Sequence, residues 1–132
     1  MKTVVTLADY ITSHLSTPFE WGKFDCILFA SGWARHATGV DHLAGTPPWA
    51  SANQAMRAVK ALGGIEVILD ARFDRIHPNM AKDGDLAPYQ EAAHLFSGVH
   101  IVGPGESGLV FTDRMKADGA WSVTKHFQTR RV

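Results

Sequence analysis

The sequence predicts an α+β domain, with helices first and an antiparallel sheet second. Apolar residues recur at helical spacing as far as the Gly63-Gly64 pair, and short apolar runs separated by turn residues follow. No long helical pattern separates those later runs. Parallel strands need a crossover of a dozen or more residues, so the runs are expected to pair antiparallel. The length of 132 residues fits one domain, residues 1–132, with enough chain to close a core without staples.

Thr6 can cap a first helix from Leu7 to Leu15, with Leu7, Ile11 and Leu15 on one face and Pro18 closing the region. Asp25 is the expected N-cap of a second helix, "CILFASGWARHAT", which Gly39 stops. Ile27, Leu28, Phe29 and Ala30 leave this helix no polar face before Arg35 and His36, so it is expected to be central and buried. Gly32 within it costs about 1 kcal/mol against Ala, which predicts another backbone passing close by.

"GVDHLAGTPPW" reads as a loop, with Trp49 either an exposed contact residue or a plug for its own loop. Ser51 and Gln54 form an S-x-x-Q opening for a third helix, whose inner stripe is Ala52, Ala55, Met56, Val59 and Leu62. "IEVIL", around Val67, fits either period. "RFDRIHP" alternates around Phe73 and Ile76, and "DGDLAPY" holds a turn and a short strand. "HLFSGVHIVG", "GLVFT" and "AWSVTKHF" then read as three strands.

Composition excludes several classes of function. Lys+Arg and Asp+Glu balance at 13 each, so no basic excess marks a nucleic-acid partner, and the Arg130-Arg131 pair reads as a solvated tail. The single cysteine cannot form an internal disulfide. Thr6, Asp9 and Thr12 break the N-terminal apolar run, so no signal peptide is expected, and no apolar stretch is long enough for a membrane span. "GPGESG" fits a dinucleotide-binding pattern, but "LVFTD" follows it as a strand where that motif needs a helix, so it reads as a hairpin connection. The seven histidines show no ligand spacing, and no cofactor or metal is implied. Asp83 and Asp85, flanking Gly84, read as turn formers.

Cys26 is the chemical candidate. In the first turn of a helix its thiol meets unpaired backbone N–H groups and the positive end of the helix dipole, both of which favour the thiolate. The same N–H groups could stabilise an oxyanion at an attacked carbonyl. The alternative is that Cys26 is a small buried hydrophobe.

"WGKFDCILFASGW" resembles the nucleophile segment of NlpC-like cysteine peptidases, a papain-like superfamily of cell-wall hydrolases. A phage and prophage family is the nearest resemblance, carried by Pro18-Phe19, Trp21-Gly22, Asp25-Cys26, Thr38-Gly39 with Asp41, Gly63-Gly64, Gly84-Asp85, Gly108-Leu109-Val110 and Ala120-Trp121. The order of these motifs runs from about Leu7 to Val123. The resemblance implies an NlpC-type α+β fold, with the cysteine on a central buried helix packed on a small antiparallel sheet, and a place near phage tail-tip genes.

In the superfamily's enzymes a Cys–His pair with a third polar residue hydrolyses amide bonds of peptidoglycan stem peptides. Cys26 carries over as nucleophile, beside Asp25. The position that carries the base in those enzymes matches Phe96 here. His94 and His100 share its strand parity in a continuous strand, displaced by about 7 and 14 Å at about 3.3 Å per residue. Two functions are therefore expected. One is a tail-tip or baseplate assembly protein, degenerate in catalysis, which contacts other tail proteins in the virion or in the host cytoplasm during assembly. The other is a peptidoglycan amidase or endopeptidase that uses Cys26 with His100 or His94.

Overall fold

The computed structural model describes residues 6–44, 46 and 48–123. It is α+β, with four α-helices followed by a six-stranded sheet in the order β1-β6-β2-β3-β4-β5, antiparallel throughout. In α1 (Leu7–His14) the Thr6 hydroxyl accepts from the Asp9 N–H, and the Asp9 carboxylate accepts from the Thr6 N–H. The helix buries Tyr10 and Ile11, whereas Leu15, expected on the inner face, is exposed just past its end. The Tyr10 hydroxyl donates to the Phe29 carbonyl at 2.6 Å, and burial pushes its pKa up to about 12.

In α2 (Cys26–Thr38), Asp25 is the N-cap and Gly39 the left-handed C-cap. Cys26, Phe29, Ala30 and Ala34 form its buried face against the sheet, with Tyr10 stacked on Phe29 from α1. Gly32 is explained differently from the expectation. Its neighbour is a side chain, since a Cβ there would lie 2.5 Å from the Tyr10 hydroxyl oxygen. Ser51 caps α3 (Ala52–Ala61) as expected, but only Ala55 of the expected inner stripe is fully buried, and Met56 and Leu62 are exposed.

The ambiguous "IEVIL" lies in a helix, α4 (Ile65–Arg72). Ile65 packs against the core and Leu69, one turn on, is buried in it.

The sheet comprises β1 (Asp74–Ile76), β2 (Leu86–Tyr89), β3 (Ala92–Ser97), β4 (His100–Gly105), β5 (Gly108–Asp113) and β6 (Ala120–Ser122). "HLFSGVHIVG" is thus two strands, with Gly98 and Val99 turning between Ser97 and its partner His100. "GPGESG" is the next hairpin, with Gly105 opposite Gly108, as its sequence predicts. The expected continuation of the last strand through residues 124–127 and the Arg130-Arg131 pair lie outside the described residues.

One sheet face carries Leu86, Ala93, Leu95, Val102 and Trp121 against α1 and α2; the other carries Ala87, Phe96, Ile101 and Ala120. Trp121 is fully buried, donates from Nε1 to Asp70 at 2.9 Å, and lies under the Arg75 guanidinium, 4.5 Å from the ring centroid. The "DGD" segment is a turn. Asp85 accepts from the Lys82 and Val123 N–H groups, Asp83 accepts from the Gly98 N–H, and Gly84 (φ +92°) has no room for a Cβ beside the Trp33 indole.

Candidate functional site: Cys26 and the groove beside it

The segment leading into Cys26 is organised around a buried carboxylate. Asp25 is fully buried and accepts three hydrogen bonds: from the Gly22 N–H at 2.9 Å, the Leu28 N–H at 2.9 Å and the Trp49 indole N–H at 2.8 Å. Gly22 has φ +81°, and a Cβ there would run into the Trp49 carbonyl oxygen, which accounts for glycine after Trp21. Of the two roles open to Trp49, the structure shows a half-buried plug that fastens its own loop to the helix start. Asp25 is therefore fully engaged in holding the backbone around Cys26.

Cys26 is the first residue of α2 and is 9% exposed. Burial pushes its thiol pKa up, against the downward pull of backbone N–H groups of Ala93, Ile27 and Cys26 itself, while the Asp25 carboxylate adds to the rise. The expected thiolate is thus not the favoured form. Desolvation outweighs the helix N-terminus because the sulfur sits under β3.

On β3 the residue beside this sulfur is Ala93. Ala93 and Leu95 share a core with Cys26, so alternation places His94 and Phe96 on the opposite sheet face. The His94 ring lies over Gly103 and beside Tyr89, with ring centroids 5.7 Å apart, and Nδ1 donates to the Ala92 carbonyl at 3.0 Å. Phe96 packs under the Arg114 guanidinium at 4.8 Å, on the face away from Cys26.

His100 pairs with Ser97, across the turn, and so returns to the face of Ala93 and Leu95. It is exposed beside Phe111 and stands opposite a residue four positions from Ala93, about 13 Å along the strand. The hairpin therefore overturns the common parity expected for His94 and His100. Of the four residues singled out by sequence, the structure brings Asp25 and Cys26 together; His94 has the parity of the other sheet face although it also borders the groove that Cys26 lines, and His100 stands well along the sheet. A general base must come within about 3 Å of its partner.

The His14 and His94 pKa values are both lowered, because burial disfavours the imidazolium. Their contribution to stability is fully present above the unfolded value of about 6.5 and is lost as the pH falls through the lower folded values. Urea midpoints measured from pH 7 to pH 5 are expected to decline, and His94→Asn is expected to shrink that decline. A midpoint that rises on acidification would contradict the assignment.

A groove of about 1040 Å³ opens beside Cys26. Ile27 and Ala30 of α2, Ala55 and Val59 of α3, Ile68 of α4 and Ala93 of β3 line it, with Arg57, Lys60, Arg72 and Glu91 also at its border. Sequence reasoning did not find this groove, although the exposure of Met56 and Leu62 on a strongly amphipathic helix is its local counterpart. Among the described residues no group of three His, Cys, Asp or Glu could hold a metal ion, and no helix is long and apolar enough to cross a membrane.

Residues 3–123 match the family model described as Domain of unknown function (DUF6950), and the chain belongs to that family. No curated protein and no solved structure matches the chain.

Proposed function

We propose that this member of the family is a phage or prophage tail-tip or baseplate assembly protein, built on an NlpC-type, papain-like fold without working peptidase chemistry. The observation that carries the loss of chemistry is Ala93. The strand position beside the sulfur has no titratable side chain, and the buried thiol keeps its proton. The motif order, from Pro18-Phe19 to Ala120-Trp121, supports the kinship with tail-tip proteins. Its partners are then neighbouring tail or baseplate proteins, and its place is the virion tail or, during assembly, the host cytoplasm.

A second reading, peptidoglycan hydrolysis through Cys26, is favoured by one observation. Cys26 opens α2, where a helix's first-turn N–H groups are available to an oxyanion, and it borders an open groove.

One substitution separates the two readings. Cys26→Ala in the phage or prophage is expected to leave the yield of infectious particles unchanged, whereas deletion of the whole chain abolishes it. The purified wild-type protein is expected to release no soluble fragments from peptidoglycan sacculi. Release that disappears in Cys26→Ala would overturn the assembly reading in favour of the enzyme.

A further inference from the structure

The groove beside Cys26 is unevenly charged. Three permanent cations border it, Arg57, Lys60 and Arg72, against one carboxylate, Glu91. The chain as a whole is neutral, so this excess is local. Arg72 is spent on the scaffold, donating to the Ile68 and His42 carbonyls. Arg57 and Lys60 are exposed on α3 and take part in none of the ion pairs formed among the described residues.

Apolar surface is exposed both along the groove and just outside it. Met56 of α3, 59% exposed, and Leu62 at its C-cap, 52% exposed, line the groove, and Val67 of α4, 53% exposed, lies outside it just past the Gly63-Gly64 corner. A long-chain carboxylate carries one negative charge against the two exposed cations, Arg57 and Lys60, and would leave Val67 in water. A polypeptide would cover all three apolar side chains.

We propose that the groove and the outer faces of α3 and α4 form the docking site for an amphipathic segment of a partner protein. Its apolar stripe lies in the groove, and its acidic flank meets Arg57 and Lys60. This assignment rests on the groove being an assembly surface rather than a hydrolytic cleft, and it is tested without measuring lysis or infectivity.

The probe is a fluorescent synthetic peptide of about four helical turns, with Leu at i, i+3, i+4 and i+7 and Glu on its flanks. It is titrated against the full chain by fluorescence anisotropy. The acidic peptide is expected to bind, and the same peptide with Lys for Glu to bind at least about tenfold more weakly. The double variant Arg57→Glu with Lys60→Glu, both on the exposed face, is expected to lose about tenfold affinity for the acidic peptide, as is wild type in about 0.5 M salt.

Cys26 is the only cysteine, so bound peptide is also expected to slow its alkylation, which locates the peptide in the groove. Equal binding of both peptides, binding without protection of Cys26, or an unchanged affinity in the folded double variant would each overturn the proposal. So would binding to phosphatidylglycerol vesicles in place of the peptide, which would assign the groove to lipid. If the acidic peptide fails to bind while Cys26→Ala still assembles particles, the docking assignment falls and the assembly reading stands.

Discussion

Asp25→Ala is expected to destabilise the fold by about 3 kcal/mol, far more than Cys26→Ala at about 1 kcal/mol. The carboxylate caps α2 through Leu28 and also receives the Gly22 N–H and the Trp49 indole N–H. A lost N-cap costs about 1 kcal/mol, and each donor left without its charged acceptor costs about as much again. Asn in its place keeps one acceptor oxygen but turns an amide donor toward groups that already donate, so Asp25→Asn should fall between wild type and Ala. Urea unfolding of the three variants measures the order. If Asp25→Ala were as stable as Cys26→Ala, Asp25 would not be the organiser of the segment, and a role beside the thiol would regain its place.

Ala93→His is expected to change the chemistry of Cys26 more than any other single substitution. In wild type the alkylation rate should rise with pH to a midpoint above the ordinary thiol value of about 8.5, because burial holds the proton on sulfur. An imidazole at position 93 enters the groove beside Sγ, where an imidazolium–thiolate pair lowers a thiol pKa by one unit or more. The midpoint in Ala93→His should therefore fall by at least about one unit, whereas Ala93→Leu, of similar bulk and no charge, should leave it high. A wild-type midpoint below about 6 would mean that Cys26 is already activated and would remove the basis of the assembly reading.

The helices were largely legible because their signals are local. Thr6, Asp25, Ser51 and Gly39 occupy the caps their types predict, since cap chemistry involves residues three or four apart. "IEVIL" was not legible, because a short apolar run suits either period and only its packing partners decide. The turn inside "HLFSGVHIVG" carried one weak signal, Gly98 before Val99. Missing it exchanged the sheet face of every residue beyond it, His100 included.

The sequence by itself determined the α+β order, the helix that begins at Cys26 and the carboxylate that caps it, because each depends on neighbours along the chain. Only the tertiary structure decided which residue stands beside the sulfur, and with it the state of the thiol. That depends on strand register and on how deeply β3 covers the start of α2, contacts between residues some seventy positions apart that no local pattern encodes. It placed Ala93 beside the sulfur and opened a groove rimmed by Arg57 and Lys60 alongside.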